Sequence, residues 1–209
     1  MLPVRFVKIV THIGRHVHAD PGRSELGEAP SDAELVCAAR EGVEWAQEGL
    51  FRRYVGMADR LAFRLAPRDH EADDIVQDAF AEAFHRLDCL QEPAAFGGWL
   101  RTIVVRTAAR AIRRERLRRR LGLSTAAPVD PADLVGQATP PDLAVELRGM
   151  YARIGALPAQ ARVALILRRV EGRTIPEAAK EMGVSEGTVK RRLRQAERAL
   201  RDAVRKGAR

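Results

Sequence analysis

The chain has 209 residues, 46% of them hydrophobic and only 5% aromatic, and a formal net charge of +8. That length accommodates one domain or two small ones, and a composition rich in Ala, Leu, Arg and Glu with few alternating β-branched runs disfavours a sheet protein. Two cysteines without finger-like spacing, Cys37 and Cys89, exclude a disulfide framework, while the arginine excess selects a polyanionic partner, nucleic acid or an acidic membrane surface.

Residues 1–30 read as a leader, disordered or accessory. Arg5, Lys8, His12 and Arg15 interrupt its apolar residues, so it does not have the form of a signal peptide. No apolar run approaches the roughly 20 residues of a membrane span, and the expectation is a cytoplasmic protein without stable membrane insertion. His12 and His16 lie one helical turn apart with His18 beside them, but no Cys or carboxylate is placed to complete a four-ligand zinc site. No metal or cofactor is expected.

Order is expected from Ser31, where Ser31 and Glu34 have capping-box spacing. Gly42 interrupts this first helix. Leu50, Tyr54, Met57, Ala58, Leu61 and Leu65 then share one stripe of a longer helix that Pro67 ends. These two elements read as scaffold.

The next helix, 71–87, places Ile75, Ala79, Ala83 and Leu87 on a core stripe and Asp74, Gln77, Asp78 and Ala81 on another face. An acidic face in an arginine-rich chain repels DNA. It is either a solvated face whose early acids favour the helix dipole or a dock for a basic protein helix. After a loop over 88–95, Phe96, Trp99, Leu100 and Ile103 open a helix with nine arginines between Arg101 and Arg120 and one acid, Glu115. Arg106, Arg110, Arg113, Arg114 and Arg118 can present guanidinium groups to successive phosphates. Ala108, Ala109 and Ala111 make this helix too thin for the bulky apolar face of a membrane-surface helix, so nucleic acid is the better partner. Trp99 fits a core anchor better than a base-stacking platform.

Residues 122–142 lack a helical stripe and are rich in Pro, Ser, Thr and small residues, which reads as a linker. At about 3.3 Å per residue its roughly 20 residues reach some 65 Å, nearly two turns of B-DNA. Leu143, Leu147, Met150, Ile154 and Leu157 predict one further amphipathic helix, and 158–170 another. The last stretch, 172–200, predicts a helix-turn-helix. Thr174 and Glu177 form a capping box, Pro176 sits in the first turn, Gly183 supplies the turn and Ser185 caps the second helix. Val189, Leu193, Ala196 and Leu200 face a core, while Lys190, Arg191, Arg194 and Gln195 project elsewhere as a DNA-reading surface. The predicted fold is all-α: two small helical domains, 31–121 and 143–209, joined by the flexible linker 122–142.

DDIVQDAF (Asp73 to Phe80), FGGWLRTI (Phe96 to Ile103) and LPAQARVALILRRVEGRTIPEAAKEMGVSEGTVKRRL (Leu157 to Leu193) stand in an order that resembles bacterial RNA polymerase sigma factors of the extracytoplasmic-function (ECF) group. The resemblance spans about Ser31 to Val204. It implies a non-enzymatic subunit that binds core RNA polymerase, at the β′ coiled coil and the β flap, and directs initiation from promoter DNA, with an anti-sigma factor as a further expected partner. Asp74, Gln77 and Asp78 would contact the polymerase. The loop 88–95 and the helix carrying Trp99, Arg101, Arg106, Arg110, Arg113 and Arg114 would recognise and open the −10 element. Thr188, Lys190, Arg191, Arg194 and Gln195 would read the −35 element. Arg106 stands where many relatives carry Asn and reads as a backbone contact.

Two other classes account for parts of the sequence only. A LuxR-like regulator would fit GVSEGTVK but should add a sensing or dimerising domain, for which 31–120 offers no α/β pattern. A metal-dependent nuclease built on Asp73, Asp74 and Asp78 lacks a basic or histidine partner nearby in sequence, and Asp73 and Asp78 diverge on a helix.

Overall fold

The computed structural model describes residues 29–66, 69–123, 149 and 152–207. The leader and its histidines, most of the linker and the start of the helix expected from Leu143 fall outside the described residues. All regular structure among the described residues is helical: α1 (Asp32–Arg40), α2 (Glu44–Leu65), α3 (Asp69–His85), α4 (Phe96–Arg120), α5 (Ala159–Arg169), α6 (Ile175–Met182) and α7 (Glu186–Gly207). Short 3₁₀ turns at Leu87–Cys89 and Pro93–Ala95 shape the loop between α3 and α4.

Local chemistry sets the boundaries. The Ser31 hydroxyl accepts from the Glu34 amide at 3.3 Å while the Glu34 carboxylate accepts from the Ser31 amide at 2.8 Å, so two otherwise free N–H groups are satisfied. These bonds to Ser31 hold the Glu34 carboxyl below its ordinary range. Gly42 turns the chain at φ +83° between α1 and α2. Helix α3 stops at His85, and Leu87 reaches the core from the following 3₁₀ turn rather than from the helix itself.

The N-terminal core forms where the apolar stripes meet. Leu50, Leu61 and Leu65 of α2, Ile75 and Phe80 of α3, and Phe96, Leu100 and Val104 of α4 are all at most 1% exposed. Phe51 and Phe80 pack with ring centroids 4.7 Å apart. Tyr54 knots three elements together: its hydroxyl donates to Asp32 at the start of α1, and its ring lies over Phe96 and the Cα of Gly97, where a Cβ would come within 2.5 Å of it. Desolvation and the Asp32 bond push the Tyr54 phenol up to about 12.

Helices α5 to α7 make a smaller cluster of Leu157, Ala161, Leu165 and Ala196, with Ile154, Ala199 and Leu200 packed against it. Their other side joins the N-terminal core. Val163, Ala164, Ile166 and Leu167 of α5, Ala178, Ala179 and Met182 of α6, and Val189 of α7 belong to the same apolar cluster as α1 to α4. Small side chains make this possible: Ala178 is fully buried and Ala179 nearly so, which lets α6 lie close against α4. The two sets of helices, read from sequence as separate units on a long tether, therefore share one interior.

The α6–α7 turn has the expected chemistry. Thr174 and Glu177 form a complete capping box, with Thr174 Oγ1 accepting from the Glu177 amide at 3.3 Å. Gly183 closes α6 in the left-handed conformation at φ +64°. Ser185 Oγ then accepts from the Thr188 amide at 3.3 Å and caps α7. A non-glycine residue in the left-handed region costs roughly 1–2 kcal/mol. Gly183→Ala is therefore expected to lower the unfolding free energy by about that amount, read from reversible urea denaturation followed by circular dichroism.

Candidate nucleic-acid and polymerase interface

Three surfaces carry the residues singled out from sequence. The first is on α3. Ile75, Val76, Ala79 and Phe80 are consumed by the core, so Asp74 and Asp78 are left exposed and Gln77 half-exposed between them. Asp73 is also exposed and faces Asp59 of α2. Desolvation and the Asp73 carboxylate push the Asp59 carboxyl up, with Arg60 opposing. The acidic face thus extends across two helices, which no spacing within α3 could reveal.

The second surface is the loop and α4. Arg40 at the end of α1 donates from Nε and Nη2 to the Leu87 carbonyl at 3.3 and 3.2 Å, and from Nη2 to the Leu90 carbonyl as well. One guanidinium thereby fixes the start of the loop and leaves Asp88, Gln91 and Glu92 exposed. Sequence reading had placed Arg40 in scaffold. Its role comes from carbonyls 47 and 50 residues away, for which there is no local signal.

Along α4, Arg106, Arg110, Arg113 and Arg114 are exposed at i, i+4, i+7 and i+8, one continuous face. Arg110 is shared: its Nη2 reaches Glu82 Oε2 of α3 at 2.5 Å and Thr107 Oγ1 at 3.0 Å. Burial would push the Glu82 carboxyl up, but bonds from Arg110 and Arg86 outweigh it and leave the group lowered, hence ionised. Trp99 is half-buried with its ring 6.1 Å from Phe96, a position that anchors the start of α4.

Arg101 stands apart. Five residues at 3.6 per turn set it roughly 140° around the helix from Arg106, and it is only 8% exposed. Its Nη2 donates to Glu171 Oε2 at 2.7 Å and its Nε to Glu181 Oε1 at 2.8 Å. Glu171, in the turn after α5, also receives Arg64 of α2, and Glu181 of α6 pairs with Arg173 at 3.1 Å. Burial acts to raise the Glu171 carboxyl, yet the bonds from Arg101 and Arg64 prevail and lower it. Glu171 and Glu181 were not singled out from sequence.

The third surface is α7. Lys190, Arg191, Arg194 and Gln195 are exposed, with Thr188 half-exposed at their N-terminal end and its hydroxyl 3.0 Å from that of Ser185. Val189 and Ala196 are fully buried, which orients the helix as the stripe predicted. Arg192, which sequence reading passed over, is partly desolvated, and Arg191 and Arg113 lie close enough to lower its pKa. Arg113 of α4 therefore lies near Arg192 of α7. A cleft of about 240 Å³ opens beside α4, lined by Arg106, Arg110 and Arg113 of that helix, Gln160 and Val163 of α5, and Met182 of α6.

Exposed guanidinium and ammonium groups on a helix-turn-helix suit phosphate and base-edge contacts. The carboxylates of α3 suit a basic protein. Among the described residues no group of three or more His, Cys, Asp or Glu could hold a metal ion, and no helix is long and apolar enough to cross a membrane.

Comparison with known proteins gives this arrangement a frame. Residues 50–118 match the family model of sigma-70 region 2, and residues 147–200 match that of sigma-70 region 4. The ECF RNA polymerase sigma factor SigM of Mycobacterium tuberculosis (strain H37Rv) is 33% identical over 170 residues, covering 81% of this chain and 83% of the relative. The ECF RNA polymerase sigma-E factor of Escherichia coli K12 is 29% identical over 186 residues, covering 86% and 97%. Two solved structures share the fold. CnrH, in complex with the cytosolic domain of CnrY, has a TM-score of 0.54 at 24% identity, covering 84% of this chain and 97% of that one. RpoE, in complex with the anti-sigma factor NepR from Bartonella quintana, has a TM-score of 0.53 at 23% identity, covering 76% and 96%. The region 2 match occupies the residues where a LuxR-like regulator would need its sensing domain, so that reading is not favoured. The chain belongs to the ECF group of RNA polymerase sigma factors, which bind core RNA polymerase and direct transcription initiation at specific promoters.

Proposed function

We propose that the three surfaces divide the work of initiation between them. Asp74, Gln77 and Asp78 dock the polymerase β′ coiled coil. The support is their exposure on one face of α3 beside Asp59 and Asp73, a concentration of negative charge that repels phosphate and attracts a basic helix. The loop held by Arg40, together with Trp99, Arg106, Arg110, Arg113 and Arg114, engages and opens the −10 element, whereas the Arg101 guanidinium is taken up by Glu171 and Glu181. Arg106 contacts the DNA backbone. Thr188, Lys190, Arg191, Arg194 and Gln195 read the −35 element in the major groove, and the same C-terminal unit meets the β flap.

In this reading residues 31–121 form one functional unit, 143–209 the other, and 122–142 connect them. The leader 1–30 carries no assigned role. The polymerase supplies all the chemistry, so the chain needs no catalytic group, metal or cofactor, and it works in the cytoplasm where the polymerase is. An anti-sigma factor restrains it, as NepR is bound to RpoE in the similar structure.

The observation that carries the proposal is the pairing of an exposed acidic face on α3 with an exposed basic face on the second helix of a capped helix-turn-helix. Run-off transcription with purified core polymerase tests it: the chain should confer initiation from a cognate promoter, and core alone should not initiate there. Reversing Asp74 and Asp78 to Arg should weaken core binding in a pull-down while leaving unfolding stability unchanged, because both side chains are exposed. Arg191→Ala should reduce discrimination against altered −35 bases by about 1–3 kcal/mol if the guanidinium holds a base edge in bidentate fashion. A loss that is uniform across sequences, with a shallower salt dependence, would instead mark a phosphate contact.

A further inference from the structure

The cleft of about 240 Å³ beside α4 has a polar lining of one sign. Arg106, Arg110 and Arg113 bring three guanidinium groups to it, Gln160 of α5 brings a carboxamide, and among the described residues no carboxylate lines it. Glu82 takes up part of the charge of Arg110. The side chains of Arg113 and Gln160 make no hydrogen bond or ion pair among the described residues. The rest of the wall is apolar: Val105, Ala109, Val163 and Met182, all buried.

Arg113 also has a cationic neighbour, Arg192 of α7. Desolvation first, then the charges of Arg191 and Arg113, push the Arg192 guanidinium below its ordinary range. Its Nη1 is buried and has no hydrogen-bond partner among the described residues. A buried guanidinium N–H without an acceptor, next to a second cation without an acid, favours an anion at that place. Gln160 lies in the first turn of α5, whose start at Pro158 carries no side-chain cap, so the positive end of that helix adds to the field. Elsewhere the chain meets its arginines with its own acids: Glu171 and Glu181 take Arg101, and Glu115 takes Arg119. At the cleft it supplies none among the described residues.

We propose that this cleft binds a short oligophosphate, a di- or triphosphate group held by Arg106, Arg110, Arg113 and Gln160, with Arg192 beside Arg113. The chemistry selects phosphate: planar guanidinium forks pair with phosphate oxygens through parallel N–H···O bonds, and a carboxamide N–H donates to a further oxygen. The volume selects a compact anion. Pockets that enclose drug-sized organic ligands run from about 300 Å³ upward, so a cleft of about 240 Å³ suits a short phosphate chain and excludes a duplex. The chain of phosphates arrives either free or as the end of a nucleotide, whose base would rest on the apolar wall. Gln160 and Arg192 are assigned to no promoter element, so the site stands independently of the promoter contacts of α4.

Isothermal titration of the full chain with sodium tripolyphosphate, at fixed ionic strength and without magnesium, tests the site. Binding should saturate at one ligand per chain, and sulfate should bind roughly tenfold more weakly, because a single tetrahedral anion spans fewer guanidinium groups. Gln160→Glu sets a like charge in the lining and should weaken tripolyphosphate roughly tenfold, while a carboxylate in the first turn of α5 favours the helix. Arg192→Gln removes a charge-assisted donor and should weaken it roughly fivefold. Arg52→Gln, an exposed cation on α2 outside the cleft, should leave the affinity unchanged. Circular dichroism verifies the helical content of all three variants. ATP in place of tripolyphosphate identifies the source: equal or weaker affinity marks the free phosphate chain, and tighter binding marks a nucleotide that uses the apolar wall. Absence of saturable binding, unchanged affinity in either folded cleft variant, or equal weakening by Arg52→Gln would each overturn the site.

Discussion

A guanidinium taken out of water dictates much of this structure. Burying an unpaired charge is far costlier than any single contact can repay. Arg101, 8% exposed on a helix otherwise arginine-lined and solvated, is therefore tolerable only because Glu171 and Glu181 meet it from 70 and 80 residues away. Apolar packing of Ala178, Ala179 and Met182 against α4 is non-directional and would accept several registers of α6 along its neighbour. Two charge-assisted hydrogen bonds from one planar fork do not. The apolar surface supplies the attraction, and the ion cluster selects the arrangement.

The same chain must manage a surplus of positive charge. Local carboxylates take up part of it: Glu82 receives both Arg86 and Arg110, and Glu115 receives Arg119. Where no acid is at hand the cost appears in Arg192, desolvated beside Arg191 and Arg113. On α3 the opposite sign is concentrated, and burial together with the neighbouring Asp73 carboxylate pushes the Asp59 carboxyl of α2 up. Such uncompensated charge stabilises nothing in the isolated fold. Exposed charge of one sign attracts groups of the opposite sign.

Much of the fold was legible because its signals are local. A capping box involves residues three apart, and both boxes formed as read, at Ser31 and Thr174. A stripe such as Ile75, Ala79 and Ala83 reports which side of a helix is buried whatever buries it, and all three are at most 1% exposed. The exposed positions followed by subtraction: Asp74 and Asp78 on α3, Lys190, Arg191, Arg194 and Gln195 on α7. The order of three motifs then sufficed to identify the family, and the SigM and sigma-E relatives cover four-fifths or more of this chain.

Helix type, the capped helix starts and the inward faces were thus determined by the sequence by itself, since each depends on neighbours within one or two turns. Tertiary structure alone decided which elements meet. Arg101 and Arg106 look equivalent in a run of arginines, but one is clamped by carboxylates and the other exposed, because their partners come from the far end of the chain. Arg40 acquires its loop carbonyls, and Asp59 and Arg192 their like-charged neighbours, in the same way. Periodicity records that a face is buried and charge records what it could attract. Only the packing of α6 on α4 determines which charges are close enough for Coulomb energy to matter.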